Sequence, residues 1–487
     1  MDYRDNEYSG MKVLIMGLGL NGGNIEAAIY LGLRGADLCI TDLRDEKALA
    51  PSIERLEEVL SGTGKKIRYV LGHHEFQDFK QADIVIKNPG VRPDSPYLEH
   101  ARHIETDISL FLAASPGRLI AVTGSKGKSS ISSALHWALK NWAECKNNPD
   151  AGKHRAYLGG NITLSPLNFL DELTKDDDVV LELSSWQLGD LGNRLNKKNG
   201  RALLKPRAAV ISAIMPDHLD RYGTMDAYIA DKRIIYRGQE KDDVIVTEDD
   251  SWGRSFRWES RARPLVYSGS GLPKGVPGGW IDESGCGLAR LREDEIAEVV
   301  PQNILVPGKH QKKNLLAAAL ALLDLGLPAE FINEQMGTFP GIEHRLEFFL
   351  ESGGIFFYND SAATIPEAAA AAIHAFDRPP VLVCGGSDKN LDFTPLAKNA
   401  GAAASVFLLE GSGSAKLIPM LKAEGVLFKG PFDSLDAAVK AVLEKTRPGD
   451  IVVLSPGCTS FGMFLNEFDR GNKWKEAMRR IAGNHGS

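Results

Sequence analysis

Cysteine is scarce in this chain, with five among 487 residues. None stands in a CxxC or CxxH spacing, which argues against a zinc site. The scatter of the five also gives no disulfide framework of the kind that small secreted domains use. We therefore expect reduced thiols in a cytoplasmic protein.

Long apolar runs and an excess of positive charge are also missing. No apolar stretch reaches the roughly 18 residues of a membrane span, and Met1 to Tyr8 is too polar for a secretory signal, so we expect neither insertion nor export. The net charge of −7 argues against general affinity for nucleic acid. With 43% hydrophobic and 25% charged residues, the composition is that of a globular protein of about two to four domains.

The most informative stretch present is AVTGSKGKSS at residues 121–130. The apolar run Leu119 to Val122 predicts a strand before it, and residues 132–139 predict a helix after it. Glycines between a strand and a helix let backbone N–H groups converge on a phosphate, where Lys128 can meet a terminal phosphate and Ser129 can bind Mg²⁺. The alternative is a Gly/Ser turn with a solvated lysine.

A second glycine string, Gly17 to Gly23, follows the predicted strand Lys12 to Met16. The next predicted strand, Leu38 to Asp42, ends in an acid about 20 residues further on, which predicts a Rossmann-like unit. Asp42 can accept from a ribose or uracil donor, or it can cap the helix that begins near Arg44. Gly90 follows a later strand and can approach a ligand or simply supply a positive φ.

The central region carries further ionisable groups. Glu182 lies near the carboxyl end of a predicted strand, where it is a natural Mg²⁺ ligand. His218 lies between two acids in the loop after the next strand, which suggests metal or substrate contact, or else a solvated histidine. Lys232, on the following helix, would by itself be a surface charge. Residues 241–300 predict a small antiparallel sheet without a site.

The last third predicts a second doubly wound sheet, because strands alternate with alanine- and leucine-rich helices. The predicted strands are Ile355–Tyr358, Val381–Cys384, Ser405–Leu409 and Ile451–Leu454. Three of the segments that follow strands are polar: Asn359–Ser361, Gly385–Lys389 and Ser455–Ser460. Each can cap a helix, but together they favour a ligand site at one edge of the sheet.

Taken together, these motifs resemble the Mur ligase family over nearly the whole chain. The resemblance rests on TGSKGKS (123–129), LELSSWQL (181–188), DHLDRY (217–222), HRLE (344–347), NDSxAT (359–364) and SPGCTSF (455–461). It implies an α/β fold of three domains. These are an N-terminal Rossmann-like UDP-binding domain (1–112), a central P-loop ATPase-like domain (113–341) and a C-terminal Rossmann-like domain that binds an amino acid (342–487).

The resemblance also implies a reaction, since the last two motifs are similar to those of the D-glutamate-adding members. UDP-N-acetylmuramoyl-L-alanine would be activated by ATP as an acyl phosphate, and D-glutamate would displace the phosphate, in cytoplasmic peptidoglycan precursor synthesis. The implied cofactors are ATP and two Mg²⁺ ions. The implied partners are small-molecule substrates, with no nucleic acid and no membrane, and we expect a monomer.

Residue roles follow from the same resemblance. The implied catalytic residues are Lys128, Glu182, His218 and Lys232, and the implied metal ligands are Ser129, Glu182, His218 and a carbamylated Lys232. The implied ATP contacts are Gly124, Ser125, Lys126, Gly127, Lys128, Ser129, Ser130, Asn314, Arg345 and Asp360. The implied UDP-substrate contacts are Leu20, Asn21, Asp42, Arg44, Gly90 and Asn161, and the implied D-glutamate contacts are Thr364, Lys389 and Ser460.

Four positions depart from the family pattern, namely Ala362 for a lysine, Gly462 for an aspartate, Ala213 for an asparagine and Lys126 in the phosphate loop. The first two remove charges beside the amino-acid pocket and leave open a different acceptor. A folate donor, as in folylpolyglutamate synthases, is a further alternative that the N-terminal glycine motif opposes. Two alternatives lie outside this class of enzyme. Ala362 and Gly462 leave open a catalytically inactive nucleotide-binding protein, and the first glycine motif taken alone leaves open an NAD-dependent dehydrogenase.

Overall fold

A computed structural model describes residues 7–20, 22–161, 164–192, 194–196, 200, 202–292, 295–460 and 462–482. The chain divides into two compact units, one of residues 1–299 with 313–333 and one of residues 300–312 with 334–487. The described residues form a five-stranded, a nine-stranded and a six-stranded sheet. None of the described helices is long and apolar enough to cross a bilayer, and all five cysteines are free thiols.

The first sheet has the strand order β3-β2-β1-β4-β5, and neighbouring strands run parallel. Its elements are β1 Lys12–Met16, α1 Gly23–Leu33, β2 Asp37–Asp42, α2 Glu46–Leu60, β3 Arg68–Leu71, α3 Phe76–Gln81, β4 Ile84–Lys87, β5 Ile104–Glu105 and α4 Asp107–Ala114. All four residues of β4 are buried, as expected for a central parallel strand covered on both faces. The predicted Rossmann-like unit at the start of the chain is confirmed.

The second sheet has the order β14-β13-β12-β11-β10-β9-β6-β8-β7. Its strands are β6 Arg118–Thr123, β7 Ala156–Gly160, β8 Asp178–Glu182, β9 Ala208–Ile211, β10 Val244–Glu248, β11 Arg263–Ser268, β12 Gly278–Ile281, β13 Gly287–Arg292 and β14 Glu295–Val300. Its helices are α5 Lys128–Glu144, α6 Ser185–Leu191, α7 Leu219–Tyr222, α8 Met225–Lys232, α9 Ile234–Arg237, α10 Ser251–Glu259, α11 Lys309–Asp324 and α12 Ala329–Thr338.

The prediction of a small antiparallel sheet over residues 241–300 is wrong for most of that stretch. β10 pairs in parallel with β9, and β11 and β12 continue the same parallel sheet. Helix α10 provides the crossover that joins the parallel strands β10 and β11. Strand β13 turns antiparallel, against β12.

The third sheet has the order β15-β16-β20-β17-β18-β19 and is parallel except for the hairpin β15–β16. Its elements are β15 Glu347–Ser352, β16 Ile355–Asn359, α13 Pro366–Ile373, β17 Val381–Gly385, α14 Thr394–Asn399, β18 Ser405–Leu409, α15 Ser412–Ala423, β19 Phe428–Phe432, α16 Leu435–Leu443, β20 Ile451–Leu454 and α17 Glu467–Ala482. Gly353 and Gly354, both with positive φ, form the two-residue hairpin turn. The predicted doubly wound sheet is confirmed.

Candidate active site

The phosphate loop, residues 124–127, is the turn between β6 and α5. Gly127 has a φ of +92°, and a Cβ there would lie 2.5 Å from Oδ1 of Asn314. Gly124 has a φ of +144°, and a Cβ there would lie 1.9 Å from Oγ of Ser212. The loop therefore needs glycine at both positions, and helix α5 begins directly after it, with its first N–H groups at the loop.

Two lysine side chains meet at one carbonyl group of this loop. The Nζ of Lys128 donates to the carbonyl oxygens of Gly124 and Ser125, at 3.0 Å each. The Nζ of Lys232 donates to the same Gly124 oxygen at 2.8 Å. Lys128 is thus held by the loop, which contradicts the alternative of a solvated lysine.

Lys232 is 1% exposed, so its interpretation as a surface charge is wrong. Helix α8 buries this side chain together with Tyr228 and Ile229, which precede it by four and three residues and share its face of the helix. Burial, and after it the positive charge of Lys128, lowers the pKa of Lys232 to about 7. Near neutral pH a large fraction of this amine is therefore uncharged and nucleophilic.

The phosphate loop is also fastened to the segment after β9. The hydroxyl of Ser125 donates to the carbonyl oxygen of Met215 at 2.8 Å, accepts from the Met215 N–H at 3.0 Å and lies 3.0 Å from the Tyr228 hydroxyl. The N–H of Ser125 donates to the carbonyl oxygen of Ala213 at 2.9 Å. No pattern in the sequence predicts this second role for Ser125, although Ala213 is one of the four positions that depart from the family pattern.

Glu182 is the last residue of β8 and is 1% exposed. Its carboxylate accepts from Nδ2 of Asn161 at 2.9 Å and from Oγ of Ser132 at 3.4 Å. Its negative charge raises the pKa of Lys128, against the burial that lowers it more strongly. The predicted strand-end position of Glu182 is confirmed. Ser132 was missed, although it follows Ser129 by one helical turn on α5.

His218 directly precedes helix α7, as its N-cap residue, with a φ of +51°, and its side chain is exposed. Its ring lies 5.0 Å from the ring of Trp186, centroid to centroid. The preceding Asp217 accepts from Nζ of Lys126 at 3.3 Å. Although burial acts in the opposite direction, the neighbouring His218 and Lys126 lower the pKa of Asp217. This loop is thus ordered by aromatic and ionic contacts close to the phosphate loop.

The donor set of these residues suits Mg²⁺. Within the described ranges, no group of three or more His, Cys, Asp and Glu side chains is placed to hold a metal ion. The predicted ligand set contains only two residues of those types, and its other members are the Ser129 hydroxyl and a modified Lys232. The buried Glu182 carboxylate, whose hydrogen-bond partners among the described residues are the neutral Asn161 and Ser132, supplies the hard oxygen that Mg²⁺ prefers.

A second candidate site lies at the carboxyl edge of the first sheet. Asp42, 6% exposed, accepts from the N–H of Gly19 at 3.2 Å and from the N–H of Arg44 at 2.9 Å. Leu20 and Arg44 are exposed beside it. The N–H of Gly90 donates to Oδ1 of Asn88 at 2.9 Å. Asn21, also predicted for this site, lies outside the described residues.

The structure rules out two of the alternative roles considered for residues at this edge, a helix cap for Asp42 and a positive φ for Gly90. Asp45, not Asp42, caps helix α2, with its carboxylate accepting from the N–H of Ala48 at 2.9 Å. Gly90 does not adopt a positive φ. Asn161, predicted for the same substrate, lies instead at the edge of the second sheet, where it donates to Glu182.

The second unit brings its three polar strand ends together. β16, β20 and β17 are adjacent, and the N–H of Gly457 donates to the carbonyl oxygen of Ala363 at 2.9 Å. Ser387 and Thr459 form an isolated antiparallel bridge. Within this cluster Ser460 is buried, Thr364 is half-buried and Lys389 is exposed. Gly462 has a φ of +107°, which disfavours the aspartate usual there.

Asp360 and Arg345, predicted to contact ATP, also lie in the second unit. Asp360 is 5% exposed, and its carboxylate accepts from Oγ of Ser455 at 2.6 Å and from the N–H of Leu346 at 3.1 Å. Burial raises the pKa of Asp360 to about 6, although these donors and the nearby charge of Arg345 lower it. Arg345 itself is exposed, between two residues with positive φ.

Comparison with protein families gives three matches that follow one another along the chain. They are "Mur ligase MurD-like, N-terminal domain" over residues 11–109, "Mur ligase middle domain" over residues 122–322 and "Mur ligase, glutamate ligase domain" over residues 344–458.

Among curated proteins, the UDP-N-acetylmuramoylalanine–D-glutamate ligase of Treponema pallidum is 38% identical, over 97% of this chain and 98% of that protein. The ligase of the same name from Roseiflexus sp. is 38% identical, over 98% and 99%. Among solved structures, UDP-N-acetylmuramate–alanine ligase from Thermotoga maritima matches with a TM-score of 0.51 at 19% identity, over 96% of this chain and 99% of that one. The structural match concerns the fold, and confirms the predicted α/β architecture.

Proposed function

The chain belongs to the Mur ligase family, and from that membership we propose that it joins D-glutamate to UDP-N-acetylmuramoyl-L-alanine with cleavage of ATP. It is an ATP-dependent ligase of peptidoglycan precursor synthesis. One structural observation carries the proposal. The Gly124 carbonyl oxygen accepts from both Lys128 and Lys232, so two lysines stand at a phosphate loop beside the buried Glu182.

The first chemical step brings two anions together. A carboxylate oxygen of the uridine-linked substrate attacks the γ-phosphorus of ATP, the bond to the β,γ-bridging oxygen breaks, and ADP leaves. The Lys128 ammonium, now held by two loop carbonyls, is placed to move onto the γ-phosphate and balance the charge that develops there. The product is an acyl phosphate.

We assign Ser129, Glu182, His218 and a carbamylated Lys232 to Mg²⁺ binding. A pKa of about 7 supports the modification, because the uncharged amine of Lys232 can attack CO₂ and lose a proton to give a carbamate. That reaction turns a repelling cation into an oxygen ligand. Bound Mg²⁺ would neutralise phosphate and carboxylate charge.

In the second step the uncharged amine of D-glutamate attacks the acyl carbon. A tetrahedral intermediate forms, its nitrogen gives up a proton to solvent, the bond to the phosphate oxygen breaks, phosphate leaves and an amide remains. We assign Thr364, Lys389 and Ser460 to the amino acid, since a lysine and hydroxyls can pair with its carboxylates. Their support is the joined cluster of strand ends in the second unit.

The remaining assignments follow from the predicted domains. We propose that residues 1–112 bind the UDP portion, residues 113–341 bind ATP and residues 342–487 bind D-glutamate. In support, each range holds one of the three sheets. ATP would be held by residues 124–130 with Asn314, Arg345 and Asp360, and the uridine substrate by Leu20, Asn21, Asp42, Arg44, Gly90 and Asn161. We further propose a cytoplasmic monomer with small-molecule partners only.

The test is the amino-acid dependence of phosphate release. Purified protein with ATP, Mg²⁺ and UDP-N-acetylmuramoyl-L-alanine should release phosphate when D-glutamate is added. L-Glutamate, D-aspartate and glycine are the matched comparisons, since Ala362 and Gly462 alter the acceptor pocket. Turnover with another acceptor but not with D-glutamate would reject the assigned substrate.

The acyl phosphate gives an independent test of mechanism. Hydroxylamine added in place of D-glutamate should trap it as a hydroxamate of the uridine-linked substrate. If the protein binds both nucleotides and forms the final amide, yet no hydroxamate appears, the two-step mechanism is wrong.

A further inference from the structure

Lys87 is a buried lysine that the site described above does not use. It is the last residue of β4, and its side chain is 3% exposed. Its Nζ donates to the carbonyl oxygens of Asn88, at 3.1 Å, and Val91, at 2.8 Å, and lies 2.8 Å from Oδ2 of Asp190. The two carbonyl oxygens accept hydrogen bonds from the ammonium group, and the Asp190 carboxylate lies at ion-pair distance from it.

These contacts link two sheets of the first unit. Asn88 to Val91 form the turn after β4 that contains Gly90, a proposed contact of the uridine substrate. Asp190, whose side chain is 7% exposed, lies on helix α6, which follows the Glu182 strand. Lys87 therefore connects the turn that would hold the uridine substrate to the helix that leaves the proposed metal site.

The turn has further attachments, and they fix its geometry from two other directions. The carbonyl oxygen of Val91 also accepts from Nη2 of Arg221 at 3.4 Å, and the Arg221 guanidinium lies 4.1 Å from the centre of the Trp186 ring. Nδ2 of Asn88 donates to the carbonyl oxygen of Gly17 at 3.2 Å. The turn thus contacts the first glycine loop as well as helix α7, which follows His218.

A buried ion pair is a poor device for stability alone, because the desolvation of both charges offsets their attraction. The Lys87–Asp190 pair differs from a plain ion pair in that the lysine also donates to two carbonyls of one turn. Removing both charges should leave the fold intact, but it would release those two carbonyls. Stability and turn geometry can therefore be separated by experiment.

We propose that Lys87 is a positioning residue for the uridine substrate. Lys87 holds the Asn88–Val91 turn in the conformation that binds the substrate, and Asp190 balances the buried charge of the Lys87 ammonium group. The inference rests on the proposed function, since it assigns an effect on the affinity for UDP-N-acetylmuramoyl-L-alanine.

Three variants test it. Lys87→Met removes the donors and leaves Asp190 buried without its partner. Lys87→Met/Asp190→Leu removes both charges and restores compatibility with burial. Arg118→Met is the matched control, because it also leaves a buried acid, Asp178, after loss of a bidentate ion pair at 2.6 and 2.9 Å, but at the opposite edge of the second sheet.

The measurements are the thermal midpoint, the dissociation constant of the uridine substrate by titration calorimetry, and KM for ATP. The double variant should regain most of the midpoint lost in Lys87→Met, yet bind the uridine substrate about tenfold more weakly than the wild type, the factor that one hydrogen bond from a charged donor is worth. KM for ATP should stay unchanged, and Arg118→Met should lower the midpoint without weakening substrate binding.

The other outcomes distinguish failure of the inference about Lys87 from failure of the proposed function. If the double variant binds the uridine substrate as tightly as the wild type, Lys87 is only structural and the inference is overturned, while the proposed function stands. If the double variant loses affinity for the uridine substrate and for ATP alike, the effect is global and the inference also falls. If the wild type binds no uridine substrate, the proposed function itself fails.

Discussion

Asp360 offers a test in which stability and activity should move in opposite directions. Its pKa lies at about 6 instead of 3.8, because it is buried at the end of β16. The folded state therefore favours the protonated carboxyl. The resulting cost to stability is fully present above the folded pKa and disappears below the unfolded pKa. A rise from 3.8 to about 6 corresponds to about 3 kcal/mol.

Asp360→Asn removes that cost while keeping an oxygen that can accept from Leu346. We expect the variant to stabilise the second unit by up to about 3 kcal/mol near pH 7.5, and to have little effect at about pH 3, below the unfolded pKa, where wild-type Asp360 is largely protonated in both states. The thermal midpoint of that unit should rise by several degrees at the higher pH only. ATP affinity should fall, since Asp360 is a proposed ATP contact.

Calorimetric unfolding across this pH range, with a nucleotide titration, is the assay. Ser455→Ala should do the opposite near neutral pH, because it removes a hydroxyl that donates to Asp360 at 2.6 Å and lowers its pKa. The exposed Asp433→Asn should leave the midpoint unchanged. A midpoint for Asp360→Asn below that of the wild type near pH 7.5 would refute the reasoning about burial, and unchanged ATP affinity would refute the assigned contact.

Three further outcomes are expected. Lys128→Ala should abolish phosphate release, because the transferring phosphoryl group loses its cation. Lys140→Ala, at an exposed position on the same helix, should retain it. A steady-state phosphate assay compares the two variants, and equal rates would contradict the proposed role of Lys128. Gly127→Ala should weaken ATP binding at least about tenfold, because its Cβ would lie 2.5 Å from Oδ1 of Asn314 at a φ of +92°; unchanged affinity in calorimetry would show that the loop tolerates the side chain. Removal of CO₂ should lower turnover, and bicarbonate should restore it. With ¹³CO₂, NMR should show a carbamate signal that the Lys232→Arg variant lacks. A carbamate signal in that variant would exclude Lys232 as the source of the signal.

Much of the fold follows from local patterns in the sequence. Short apolar runs flanked by glycine and polar turns mark buried parallel strands, and the strand ends at Glu182 and Asp360 lie where those runs predict. The stretch 241–300 was assigned wrongly, because turn residues such as Gly278 and Gly279 also occur where a parallel strand joins a large sheet. Pairing direction depends on partners distant in sequence, which a local pattern does not contain.

The candidate active site likewise has parts that the sequence predicts and parts that it does not. The phosphate loop could be predicted because its chemistry needs glycines, a lysine and a hydroxyl in one short string. The burial of Lys232 was not predicted, although Tyr228 and Ile229, four and three residues before it, place apolar side chains on the same face of helix α8. The link between Lys87 and Asp190 joins positions 103 residues apart, and neither residue lies in a motif. Contacts of this kind are decided by how two sheets pack.

The path of the chain through its two units has a practical consequence. Helix α11 begins in the unit of residues 300–312 with 334–487 and ends in the other, so the backbone passes between the units three times. A fragment truncated at residue 299 would lack the fully buried Leu315 to Leu322 that complete its own interior. Halves of this enzyme are therefore not obtained by a single cut, and a swap of the C-terminal half between homologues would have to carry the 300–312 segment along with it.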